Sequence, residues 1–166
     1  MNRDELRAIQ APLKQRYRDD PAGTIVILKA EGKLGDGLAC SVDTGRALIE
    51  AGLHPSTGGS GAQACSGDML LQALVACAGV TLATVATSLG IRIQDANLTA
   101  QGEFDPRGTL GVSKDAPVGL RNIRLTVSLD SDASAEQKAK LIELTERYCV
   151  VYQTLRNGVD VSLSYA

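Results

Sequence analysis

From Met69 to Ile91 the chain runs without a single charged side chain, and the rest of the pattern is organised around that run. Its length would suit a membrane span. However, it is rich in Ala, Thr and Gly and carries Gln72, Thr81, Thr84, Thr87 and Ser88, and no Trp or Tyr belt or basic cluster flanks it. The pattern therefore predicts a helix over 67–89 buried in protein. Such a helix, apolar on nearly all sides, needs neighbours all round and so a large or shared core. Ser66 suits an N-cap, Asp68 the first turn and Gly90 the C′ position.

The flanking segments read as shorter elements. Leu6, Ile9, Leu13 and Tyr17 recur at helical spacing and predict a helix over 3–18, bent or split by Pro12. Thr24–Lys29 is a predicted strand, joined through a Gly-rich turn at 32–37 to a partner over Leu38–Asp43, while Arg46–Ala51 is undecided. The stretch 54–67, HPSTGGSGAQACSG, reads as a loop, either a plain connector or a substrate loop. Ile91–Phe104 is a predicted strand ending in a turn at Asp105–Gly108, and Thr109–Pro117 is irregular or a weak strand. Residues 120–129, LRNIRLTVSL, alternate as a half-buried strand does. A second helix is expected over about 134–147 and a short piece over 149–156 with Asn157-Gly158 as its stop. Val159–Tyr165 closes the chain as a predicted strand. Strands, helix, strands, helix and strand predict an α+β fold with a mostly antiparallel sheet.

Composition narrows the function. The 166 residues suit one domain of ordinary size, divided here into an N-terminal helical extension over 1–22 and a main domain over 23–166. With 17 basic against 19 acidic side chains and 3 % aromatics, there is neither a phosphate-neutralising stripe nor a stacking platform, so no nucleic acid partner is expected. Four cysteines without a C-x-x-C pair and a single histidine argue against zinc, and no cofactor is expected. The charged start MNRDELRAIQ lacks the apolar stretch of a secretory signal, so the expected compartment is the cytoplasm, with reduced thiols.

The chemistry is expected at two cysteines. Cys77 falls about ten residues into the apolar helix and Cys149 falls at the break between the last two helical pieces. A buried cysteine is ordinarily an inert packing group. An ordinary thiol is only slightly ionised at neutral pH and burial lowers that further, so a nucleophilic Cys77 requires a cation brought to it by the fold. Cys40 falls in a predicted strand, and Cys65, in the loop just before Ser66, is placed to be accessible and to form adventitious disulfides; His54 reads as a loop residue rather than a ligand or base, and GGSG at 58–61 lacks the G-K-[ST] of a phosphate loop.

The A-L-V-A-C run at 73–77 after a Gly-rich loop resembles the OsmC/Ohr family, as does R-Y-C-V-V-Y-Q-T-L at 147–155 ahead of a terminal strand. The resemblance covers roughly 38–166. It implies an interlocked homodimer in which antiparallel sheets from both chains cover long central helices. For the peroxidase branches it implies that Cys77 attacks an organic hydroperoxide and Cys149 resolves the sulfenic acid to a disulfide, which a dithiol (a lipoyl protein or small thiol) then reduces. It implies further that an arginine, best matched by Arg46, steadies the thiolate and is oriented by Asp68. Three positions depart from the family pattern. Val150 stands where Pro is usual, Ser66 stands where Pro is usual before the helix, and Gly67 stands where the organic-hydroperoxide branch has Glu. A redox sensor, or a dimer that binds a small apolar ligand, is the alternative reading, and an inert structural dimer is a third.

Overall fold

A computed structural model of the chain describes residues 3–24, 26–34, 40–42, 51–62 and 64–165. It contains helices α1 (Arg3–Asp19), α2 (Ser66–Leu89), α3 (Pro106–Thr109), α4 (Ala135–Tyr148) and α5 (Val150–Asn157). The strands are β1 (Val26–Leu34), β2 (Cys40–Val42), β3 (Ala51–Gly52), β4 (Ala64–Cys65), β5 (Asp95–Phe104) and β6 (Arg121–Asp130). This is the expected α+β architecture. One sheet has the order β2-β1-β5-β6, with β1 and β2 antiparallel through Gly32↔Val42 and Leu34↔Cys40. Pro12 lies inside an uninterrupted α1. The expected loop at 54–67 holds a 3-10 turn, Pro55–Thr57, and β4, which pairs in parallel with β3.

The chain divides into two compact units. One comprises Met1–Ala30, Asp43–Gln72 and Ala100–Leu125. Here α1, the turn at Pro55–Thr57 and α3 pack on one another. Tyr17 is 2 % exposed, its hydroxyl donates to the Ser56 carbonyl, and the Arg16 guanidinium lies 4.9 Å from its ring centroid. Asp105 caps α3 by accepting from the Arg107 N–H at 3.0 Å, and its carboxylate pairs with the Arg107 guanidinium at 2.7 Å.

The other unit comprises Glu31–Val42, Ala73–Thr99 and Thr126–Ala166. Its core includes Leu74, Val75, Ala78 and Leu82 of α2 together with Leu141 and Cys149. The polar residues of α2 are accommodated by back-bonding to the preceding turn: Thr81, Thr84 and Thr87 donate to the carbonyls of Cys77, Val80 and Ala83 at 2.7–2.8 Å. Gly90 ends the helix in the left-handed region at φ +66, with Ile91 N–H bonding back to Ala86 O at 2.9 Å. Ser134 and Gln137 form a reciprocal capping box at the start of α4.

The expected terminal strand is not formed. Residues 159–165 pair with no strand among the described residues, and Val159, Val161, Leu163 and Tyr165 are all exposed. Their alternation suits a strand, but a strand needs a neighbour to satisfy its backbone groups, and no described strand of this chain serves.

Candidate active site

The site is built where α2 meets the junction of α4 and α5. Helix α4 stops because Cys149 leaves helical geometry, at φ −72 and ψ 108. The same residue is the N-cap of α5, its sulfur accepting from the Tyr152 N–H at 3.5 Å. Two ties brace this elbow: Gln153 Nε2 donates to the Glu146 carbonyl at 2.8 Å, and Arg156 pairs with Glu146. At this elbow the first amides of α5 and the Cys149 thiol act on the acidity of Cys77.

Cys77 lies half-buried on α2 and Cys149 is 1 % exposed; both are free thiols. Burial pushes the Cys77 thiol up. Hydrogen bonds from the Val151 N–H, the Cys149 thiol, the Val150 N–H and the Thr81 hydroxyl outweigh it, and hold Cys77 below the usual thiol range. Thr81 has one proton, which it donates to the Cys77 carbonyl at 2.7 Å, with the Cys77 sulfur as a second acceptor in reach. Burial also pushes Cys149 up and there prevails: against the Tyr152 N–H and with the help of Cys77, it raises Cys149 to about 11. The two acidities are therefore opposed, Cys77 below and Cys149 above the usual thiol range.

Thr81 also lines a cavity of about 350 Å³, together with Val80, Val85, Leu89, Leu144 and Tyr148. Its walls are mainly apolar and suit a hydrocarbon group rather than a charged one.

The other predicted residues separate from this pair. Asp68 is half-buried in the first turn of α2. Burial raises its pKa and the charge of His54 opposes that rise. Nine positions along a helix are two and a half turns, so Asp68 leaves α2 on the side opposite Cys77. Arg46 lies outside the described residues. His54 has a structural place, with Nδ1 2.6 Å from the Ser56 hydroxyl and its ring edge-on to Phe104 at 6.2 Å. Cys65 is half-buried in β4 and Cys40 lies in β2. Sequence reasoning missed Thr81 as a ligand of the sulfur and missed the α5 amides altogether. Main-chain donors leave no residue-type signal, although a cysteine opening a short helix was visible.

A mixed helix-and-sheet fold with one long apolar helix, and two cysteines in contact at its middle, defines an α+β thiol protein. The family model for OsmC-like proteins matches residues 59–164, and the chain belongs to that family. Among solved structures, it is similar to an OsmC-like hydroperoxide resistance protein from Jannaschia sp. CCS1, with TM-score 0.60 and 18 % identity, over 83 % of this chain and 91 % of that one. An OsmC-like protein from Mycoplasma pneumoniae is similar with TM-score 0.56 and 19 % identity, over 81 % and 86 % of the two chains. No curated protein matches the sequence.

Proposed function

We propose that this protein is a cysteine-based hydroperoxide reductase of the OsmC/Ohr type, acting on organic hydroperoxides in defence against oxidative stress. The observation that carries the reading is that Cys77 and Cys149 act on each other and move apart in acidity, Cys77 down and Cys149 up. The Cys77 thiolate attacks the terminal oxygen of ROOH. The O–O bond breaks, ROH leaves after taking up a proton, and Cys77 becomes a sulfenic acid. The Cys149 sulfur then attacks the Cys77 sulfur, water leaves with the thiol proton, and a disulfide forms. A dithiol reduces that bond and is itself oxidised to its disulfide. The apolar cavity beside Thr81 favours an organic over a hydrogen peroxide, since each CH₂ it buries contributes about 0.8 kcal/mol. In this scheme Arg46 supplies positive charge to the thiolate and leaving oxygen, and Asp68, facing away from Cys77, acts through Arg46.

The working unit in this reading is a homodimer. Leu70, Ala73, Val80, Thr84 and Thr87 are exposed on α2 and alternate with Cys77 at spacings of three and four, the seam of two helices packed together. The unpaired 159–165 segment supports the same reading. The proposed compartment is the cytoplasm, where such thiols are kept reduced.

The test is turnover of an organic hydroperoxide with excess dihydrolipoamide as reductant. Sustained consumption that requires both Cys77 and Cys149 supports the reading. A single stoichiometric oxidation that no dithiol reverses contradicts it.

A further inference from the structure

The geometry points to a second nucleophile on this chain: the Ser56 hydroxyl, with the His54 imidazole as its base, fitted to take an acyl group from an activated ester. The two side chains meet at the 3-10 turn Pro55–Thr57, within the first compact unit, and the inference does not depend on the thiols. Ser56 Oγ lies 2.6 Å from His54 Nδ1. The other partner of that nitrogen decides the tautomer. The Ser56 N–H donates to Nδ1 at 3.1 Å, which needs a lone pair there, so the ring proton sits on Nε2 and the hydroxyl is the second donor. A hydroxyl that donates to an imidazole at hydrogen-bond distance becomes a nucleophile as its proton departs.

The turn fixes both members of the pair. The Ser56 carbonyl accepts from the hydroxyl of the buried Tyr17, and the His54 ring stands edge-on to Phe104. Gly58 closes the turn at φ +98, and a Cβ on Gly59 would lie 1.7 Å from the Leu53 carbonyl oxygen, so no other residue fits there unless the chain shifts. Ser56 and His54 are half-buried beside the exposed Leu53, Pro55 and Ser60, and so open to a small ester. The charge of His54 acts on the Asp68 carboxylate, which gives an imidazolium a negative neighbour. The amides of Thr57, Gly58 and Gly59 bond back to the His54 and Pro55 carbonyls at 2.8–3.2 Å and are not spare for an oxyanion. The expected chemistry is therefore capture of one acyl group rather than rapid turnover.

The probe is p-nitrophenyl acetate. Ser56 Oγ bonds to the acetyl carbon and the ester bond to p-nitrophenolate breaks. The hydroxyl proton passes to His54 Nδ1 and then to solvent, and nothing is oxidised or reduced. The native protein is treated for short times and the acetyl group is located by peptide mapping with fragmentation. Ser60, in the same loop, is the internal control, being exposed with its Oγ accepting from the Ala62 N–H at 3.2 Å. A positioned base contributes about a hundredfold or more, so Ser56 is expected to be acetylated about a hundredfold faster than Ser60. His54→Asn keeps a side-chain acceptor for the Ser56 N–H and removes the base. It is expected to bring Ser56 down to the rate of Ser60, with the thermal midpoint kept. The comparison of the two serines in the parent protein needs no variant and stands whether or not H54N folds. The proposal is overturned by equal rates at Ser56 and Ser60, by folded H54N labelling Ser56 as fast as the parent does, or by acetyl groups found on thiols and amines alone.

Discussion

Cys77 and Cys149, 72 positions apart in the sequence, act on each other's acidity in opposite senses: the buried Cys149 helps hold the half-buried Cys77 below the usual thiol range, and Cys77 helps push Cys149 up to about 11. In the proposed cycle this difference sets the order of reaction: Cys77, the more acidic thiol, attacks, and Cys149 stays protonated until Cys77 has been oxidised.

Replacing each thiol in turn should separate these roles. Cys77→Ser is expected to abolish hydroperoxide consumption. Cys149→Ser should consume peroxide and, lacking a resolving partner, carry Cys77 on to sulfinic acid, a gain of two oxygens. Intact-protein mass spectrometry distinguishes the products; an unoxidised Cys77 in C149S would contradict the assignment.

The opposed acidities predict selective labelling. At pH 8 the native protein should react with iodoacetamide at Cys77, held below the usual thiol range, while Cys149, pushed up to about 11 and buried, should stay unmodified until the chain is denatured. Peptide mapping before and after denaturation checks this. Equal labelling of both in the native state would show that the elbow does not shelter Cys149.

Ala73 lies on the exposed seam of α2, one turn before Cys77. If that seam joins two copies, Ala73→Glu should weaken association on the order of a hundredfold and yield monomers at micromolar concentration in sedimentation velocity. Its circular dichroism should match that of the parent. A variant that sediments as the parent does would mean another surface, or none, joins the copies.

Asp105 supplies a prediction about acid. The Arg107 guanidinium bonds to its carboxylate and, against burial, holds it below the usual carboxylate range, helped by the Arg107 N–H, the Arg107 charge and the Thr24 hydroxyl. A carboxylate depressed in the folded state stabilises above its unfolded pKa, near 3.9, and that contribution is lost as the pH falls through the lower, folded value. Asp105→Ala should lose a helix cap and buried hydrogen bonds and cost about 1–3 kcal/mol at pH 7, shrinking as the pH drops below 4. Urea unfolding at both pH values measures the difference.

The elements legible in the sequence were those that satisfy themselves. Helix α2 was readable to within a residue because its apolar run, Ser66 and Gly90 agree, and α4 because Ser134 and its periodicity agree. β6 alternates in burial as its residues alternate in type. The 159–165 segment was misread for a physical reason: its alternation records a preference for strand, and a strand also needs an edge to pair with. Of the site, the two cysteines stand out in the sequence through their setting and their resemblance to a family, whereas their effect on each other's acidity is visible only in the fold. The partner of Asp68 was not found: His54 precedes a proline in a loop and only the fold brings its charge to bear on Asp68.

The central claim is that Cys77 and Cys149 form one redox pair. The most direct measurement is non-reducing peptide mapping after the reduced protein meets one equivalent of an organic hydroperoxide. The account predicts loss of two thiols and a single Cys77–Cys149 disulfide. A disulfide to Cys40 or Cys65 instead, or a sulfinic Cys77 beside an untouched Cys149, would contradict it.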